Sequence, residues 1–189
     1  TNPETPAGLR DRLLVVAGFA LMARRSELAA LTLTDVAETP DGLLVLIRKS
    51  KTDQDAKGRE VAIPPGQHAA TDPVRLVRAG RELLAGHGMT SGPRLHRVDR
   101  WGHIHAAGMS GAAVSEAVGR LAARAGLLGD QPYTGHSLRS GGATSSYKAG
   151  RPVSTIAKHG GWSPASPVVL RYIRSVDQWT DNAMTGVGL

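Results

Sequence analysis

From Leu13 to Ala23 the chain runs for eleven residues without one polar side chain (LLVVAGFALMA), and from Leu9 onward it is apolar on nearly every face of a helix. Such a helix has no face to offer to water, so other elements must enclose it. The run is too short to span a bilayer and lacks the cleavage pattern of a signal peptide. The rest of the 189 residues must therefore supply the shell around it. That length suffices for one domain with a real hydrophobic core.

The shell reads as mostly helical. Thr1–Gly8 (TNPETPAG) is expected to be a linker cut from something longer, and residues 9–189 to form one domain. Ser26 is placed to cap a short helix after the buried one. Leu43–Arg48 and Glu60–Ile63 alternate like strands and predict a hairpin around the basic turn Lys49–Arg59. Asp72-Pro73 opens a helix that should stop near Gly86. Gly88–Met109, rich in Gly, Arg and His, reads as an extended loop. Ser110 caps a helix to about Ala125, with Val114, Val118, Leu121 and Ala125 on one face. Further helices are expected over Leu138–Lys148, over Pro152–Lys158 up to Gly160-Gly161, and after Ser166-Pro167. The fold class is thus α+β, mostly α-helical, with one small antiparallel sheet.

Charge narrows the partners. Lys and Arg number 23 against 16 Asp and Glu, a formal +7. A surplus of that size on one small domain favours a polyanion, since each cation set on a phosphate releases condensed counterions. Charge by itself does not separate nucleic acid from an anionic membrane. The chain has no cysteine, which excludes disulfides, thiolate nucleophiles and cysteine-ligated zinc, and fits a cytoplasmic location. His103 and His105 lack a spaced third ligand, so no metal is assigned, and no nucleotide-binding fingerprint occurs.

Five features carry chemistry. Arg24-Arg25-Ser26-Glu27-Leu28 follows the apolar helix, and an arginine leaving it needs a counter-charge, either Glu27 or a phosphate. Lys51 sits in the hairpin turn, where it is either merely solvated or carried by a loop to a leaving oxygen. His136 and Arg139, within YTGHSLRSGG, share one face of a helix start whose backbone N–H groups also favour an anion. Gly160-Gly161-Trp162 sets an indole after a flexible stop, and Tyr172 follows on an amphipathic helix (VVLRYIR). Each of the five has an ordinary structural explanation when taken alone.

Taken in order, R-x-S-E-L, a hairpin lysine, H-x-L-R, G-G-W and R-Y-I-R, the set resembles the tyrosine site-specific recombinases from about Leu9 to the C-terminus. The resemblance implies that Arg24 and Arg139 bind phosphate, Lys51 is the hairpin lysine, and His136 leads the H-x-x-R pair. Trp162 would hold the His-or-Trp position, with His159 as its rival, Glu27 would support the first arginine, and Tyr172 would be the nucleophile. Arg25 falls outside the site. Trp162 and Tyr172 are ten residues apart, one more than the family spacing, which would loop out the SPASP segment. The family's N-terminal DNA-clamping domain is not in this sequence.

The implied activity is site-specific DNA recombination through a covalent 3′-phosphotyrosine, without metal, ATP or other cofactor. Two arginines each donating to the non-bridging oxygens suit a phosphoryl-transfer transition state. The implied partners are double-stranded DNA and further copies of the chain, in a tetramer on two paired sites, with no membrane. Two alternatives stay open: strand relaxation of the type IB topoisomerase kind, and a DNA-binding protein on the same fold without activity. Val176, Trp179, Ala183 and Val187 form an apolar stripe that either packs on its own domain or docks on a neighbouring subunit.

Overall fold

The computed structural model describes residues 2, 4–48, 58–127, 129, 131–163, 166–173, 184 and 187. Helix α1 (Pro6–Ala20) starts inside the stretch expected as linker, because Thr5 Oγ1 accepts from Gly8 N at 3.1 Å and Pro6 takes the first turn. It stops before the apolar run does. Leu21, Met22 and Ala23 form a buried turn in which Met22 adopts a left-handed φ of 48°. The chain reverses there into α2 (Arg25–Ala30). Arg24, not Ser26, is the N-cap of α2, because the Glu27 carboxylate accepts from Arg24 N at 2.9 Å and fixes the start two residues earlier.

A 3-10 turn (Leu33–Asp35) leads into an antiparallel sheet of β1 (Val36–Thr39), β2 (Gly42–Ile47) and β3 (Arg59–Ile63), in the order β1-β2-β3. The expected hairpin is β2–β3, with Val45 opposite Val61, and β1 extends it. The turn that carries Lys51 lies outside the described residues. Helix α3 (Pro73–Gly86) runs as expected, with Asp72 Oδ1 accepting from Val74 N at 3.0 Å. The segment expected as an extended loop contains a second hairpin, β4 (His96–Val98) and β5 (Ile104–Gly108). Asp99 Oδ1 closes its turn by accepting from the backbone of Trp101 and His103.

Helix α4 (Gly111–Arg124) begins at its Ser110 cap as expected. Helix α5 (Gly135–Lys148) starts three residues before Leu138, because Thr134 caps it and Ser137 Oγ accepts from Thr134 N. Helix α6 (Val153–Gly160) ends on Gly161 at φ 67°, and α7 (Pro167–Ile173) follows, with Ser166 Oγ accepting from Val168 N. Among the described residues no helix is long and apolar enough to cross a membrane. Val176, Trp179 and Ala183 of the C-terminal stripe lie outside the described residues.

Two apolar clusters hold these elements. The larger one gathers Leu14, Leu28, Val45, Leu95 and Val114 against α1, but it does not enclose the helix as expected, since Val15, Val16 and Ala17 are half-buried and Phe19 is exposed. The smaller joins Met22, Ala143, Ile156, Ala157, Trp162 and Val169, with Tyr172 packed against it. They meet where α1 crosses α5, an approach that two glycines permit. A Cβ on Gly18 would stand 2.7 Å from Leu138 Cδ1, and one on Gly142 would stand 2.4 Å from the Phe19 carbonyl oxygen. Because the second obstacle is backbone, Gly142→Ala is expected to cost about 1–3 kcal/mol of stability, as overpacking does. Urea unfolding measures it, and an unchanged midpoint would mean that the helices can separate without penalty.

Candidate active site

The crossing of α1 and α5 sets the end of the buried helix beside the start of the helix that carries His136 and Arg139. Buried Arg139 reaches back to that end, and its Nη1 donates to the Met22 carbonyl and, at 2.8 Å, to Gly160 O. One guanidinium thereby holds the strained turn after α1 and the last turn of α6. Its plane lies over the Trp162 ring, with Cζ 3.8 Å from the centroid. Trp162 in turn meets Tyr172, centroids 5.9 Å apart. Tyr172 Oη stands 2.9 Å from His136 Nε2, within hydrogen-bond distance, and the two rings meet edge to face. Thr144 Oγ1 donates to Tyr172 O at 3.1 Å and ties α7 to α5.

Arg24 completes the wall from the N-cap of α2. Its Nη1 donates to Glu27 Oε1 at 2.6 Å, while Glu27 itself is buried. Arg24, His136, Arg139, Trp162 and Tyr172 therefore line one open cleft of about 330 Å³, with Ser163, Ser166 and Val168 at its edge. Glu27 lies beneath them. Six of the seven expected site residues come together; the seventh, Lys51, lies outside the described residues.

Three expectations are corrected by this geometry. His159 is no rival for Trp162, since its Nε2 stands 2.7 Å from Ala20 O at the end of α1. Arg25 is not remote, because with Ser115 and Thr134 it lines an adjoining cavity of about 290 Å³ that shares Arg24, His136 and Arg139. The amides at the start of α5 are not waiting for an anion. Gly135 N donates to Ser115 Oγ, His136 N to Thr134 Oγ1 and Ser137 N to Thr134 O. The binding capacity lies in the side chains.

One residue escaped the sequence reading. Arg59 at the start of β3 sets its Nη2 3.5 Å from Glu27 Oε2 and donates from Nη1 to His159 O at 2.6 Å. The signal was present: period-2 alternation puts Arg59 on the face of buried Val61 and Ile63. Beginning the strand at Glu60 hid it.

The electrostatics follow from this packing. Burial works to raise the Glu27 carboxyl pKa, but hydrogen bonds from Arg24 and the charges of Arg24 and Arg59 outweigh it and hold the value below the usual range. Burial, then the charge of Arg24, brings Arg139 down to about 10, so it stays cationic near neutrality. Glu27 is the carboxylate that acts on Arg24, Arg59 and Arg139 alike, which leaves the group with surplus positive charge facing the cleft. Burial lifts the Tyr172 phenol above its usual pKa against the pull of Arg139, Arg171 and Arg24. A neutral phenol beside an imidazole, under clustered guanidinium groups, can attack an anionic ester once its proton is taken.

Comparison with known proteins adds to the geometry. The model of the phage integrase family matches residues 1–178. A protein of Selenomonas ruminantium described as an integrase/recombinase xerD homolog is 32% identical over 183 residues, covering 97% of this chain and 52% of that protein. The chain thus spans about half the length of this curated relative. XerH recombinase, solved on a palindromic difH substrate after cleavage, superposes with TM-score 0.68 at 20% identity, over 96% of this chain and 47% of that one. XerA recombinase gives 0.66 at 18% identity, over 97% and 58%. A lambda integrase dimer bound to a COC' core site gives 0.60 at 19%, over 89% and 43%. At such identities these structures show a shared fold, mostly helical with small antiparallel sheets.

Proposed function

Because this chain belongs to the phage integrase family, the tyrosine recombinases, we propose that it cuts and rejoins double-stranded DNA in site-specific recombination, through a covalent link to Tyr172. The observation that carries the proposal is the pairing of Tyr172 Oη with His136 Nε2 at 2.9 Å, beside Arg24 and Arg139 in one cleft.

Tyr172 Oη attacks the scissile phosphorus while His136 Nε2 accepts the phenol proton, which the raised phenol pKa makes necessary. Arg24 and Arg139 donate to the non-bridging oxygens as charge builds on them. The bond from phosphorus to the 5′-oxygen breaks, and Lys51 delivers a proton to that oxygen. The phosphotyrosine keeps the ester bond, so a 5′-hydroxyl can attack it and rejoin the strand without a nucleotide or a metal. Trp162 packs against Tyr172 and fixes the plane of the phenol. The enzyme acts in the cytoplasm as a tetramer on two paired sites. Within the family, the spelling of the motifs resembles Cre recombinase, whereas the relatives matched are of the Xer and lambda integrase kinds.

A pool of duplexes with randomised cores, each nicked so that the freed end diffuses away after cleavage, tests this. Covalent DNA–protein adducts are recovered and sequenced, and the modified peptide is mapped. An enriched inverted-repeat site with phosphate on Tyr172 is expected. No adduct, or attachment elsewhere, overturns the proposal, and relaxation of plasmid without pairing of two sites would indicate a topoisomerase instead.

Arg24→Ala and Arg139→Ala should each slow adduct formation about a hundredfold, the usual loss for a preorganised donor. DNA affinity should fall far less, since many other cations bear the non-specific attraction. Arg75, exposed on α3, is the control in place of Arg25. A near wild-type rate in either variant, read on a selected duplex, removes that arginine from the site.

A further inference from the structure

We propose that Arg59, which lies outside the set carried over from the family, is a positioning residue for strand cleavage: it fastens the end of α6 to Glu27 and so sets where Trp162 and Arg24 stand around the phosphate. The inference rests on the reading of the cleft as a phosphoryl-transfer site.

Two guanidinium groups grip consecutive carbonyls at the end of α6. Arg59 Nη1 donates to His159 O at 2.6 Å, and Arg139 Nη1 donates to Gly160 O at 2.8 Å. Carbonyls there lack helical partners and carry the negative end of the helix dipole, so cations suit them. Gly161 follows at φ 67°, and a Cβ on it would stand 2.6 Å from Arg59 Nε. The glycine therefore serves the turn and makes room for Arg59 together. Trp162 is the next residue, so any shift of this corner moves the indole that packs on Tyr172.

The other arm of Arg59 meets the carboxylate that orients Arg24. Glu27 Oε1 takes Arg24 Nη1, and Oε2 takes Arg24 N while lying 3.5 Å from Arg59 Nη2. Arg59 thus ties β3 to α2, whose N-cap Arg24 lines the cleft, and to α6, which is followed by the cleft residue Trp162. A guanidinium can set separate nitrogens on two acceptors that lie apart, as His159 O and the Glu27 carboxylate do, whereas a lysine has only one nitrogen. Arg59 Nε and Nη2 are buried with no hydrogen-bond partner among the described residues, so little besides this bridge accounts for burying the charge. Arg59 also opens β3, the strand that follows the expected turn containing Lys51. The strand returning from that turn is anchored at the site itself.

The test uses single-turnover adduct formation on a nicked duplex selected from the randomised pool. If the wild-type chain forms no adduct, the phosphoryl-transfer reading fails and Arg59 is not at issue. Given a wild-type adduct, Arg59→Met should lower the rate at saturating DNA by about tenfold to a hundredfold, as misplacement of reacting groups does. The DNA concentration for half-saturation should move by less than about threefold, because non-specific phosphate contacts are untouched.

Amplitude and rate constant distinguish positioning from loss of folded protein: unfolded chains lower the amplitude of adduct formation, whereas displaced groups lower its rate constant. Arg59→Lys keeps the charge but not the fork, so it should recover the amplitude but not the rate constant. A wild-type rate constant in Arg59→Met, or a loss confined to the amplitude, overturns the proposal. Should Arg59→Met fail to fold by circular dichroism, Arg59→Lys decides: a rate within twofold of wild type refutes the bridge, and a loss near tenfold upholds it.

Discussion

Replacing Tyr172 by phenylalanine is expected to abolish covalent capture of DNA while leaving the fold almost unchanged. The ring and the hydroxyl have separate duties at this position. The ring packs against Trp162 and His136 and belongs to the smaller apolar cluster, and phenylalanine keeps all of that. The hydroxyl lies at the exposed end, 2.9 Å from His136 Nε2, so losing one half-solvated hydrogen bond should cost only about 0.5–1.5 kcal/mol. Arg24 and Arg139 remain, so DNA should still bind. Denaturing gels of the selected nicked duplex, run beside a urea melt, separate the two effects. An adduct that survives in Tyr172→Phe moves the nucleophile elsewhere, with Tyr133 and Tyr147 the remaining phenols.

Lys51→Ala should slow cleavage of ordinary DNA by about a hundredfold to ten-thousandfold, the range of a lost general acid. Its task would be to protonate the 5′-oxygen as that oxygen departs. Sulfur in place of the bridging oxygen gives a leaving group with a pKa of about 8.5 instead of that of an alcohol, and such a group leaves without a proton. Lys51→Ala should therefore recover most of its rate on the sulfur-substituted strand. Arg139→Ala should not recover, because its loss is felt on the non-bridging oxygens. Lys49→Ala and Lys57→Ala should be active on both strands. Rescue of one of these neighbours, or of none of the three, would place the proton donor elsewhere and leave Lys51 an electrostatic role.

What the sequence disclosed was whatever is settled locally. Asp72-Pro73 and Ser110 start their helices where capping chemistry says they must, and Gly86 closes α3. Helix α1 is equally plain from its apolar run, although its Phe19 stays exposed and only one side of it is buried. What stayed hidden was settled by partners far along the chain. Met22 turns left-handed instead of extending α1, and its carbonyl is claimed by Arg139. Arg24 caps α2 because Glu27 is buried beneath it. β4 and β5 have the composition of a loop, and their pairing depends on the Asp99 turn and on each other rather than on propensity. The motif order disclosed most of the site because each motif holds its own chemistry. Arg59 belongs to no motif, and its place depends on His159 and Glu27 at once.

The arginines that grip the end of α6 also bear on the order of synthesis. The buried members of the larger cluster end at Val118, with Tyr133 and Leu138 packed against them, so it can be enclosed before α6 has been made. The smaller cluster needs Ile156, Trp162 and Val169, and Tyr172 arrives only with α7. Chains leave the ribosome from the N-terminus, and domains form as their parts emerge. A product cut short before α7 thus keeps Arg24, Glu27 and the larger core yet lacks Tyr172, the proposed nucleophile. If the proposed function holds, errors of translation would yield chains that bind DNA without a covalent link and contend with the full-length product for the same sites.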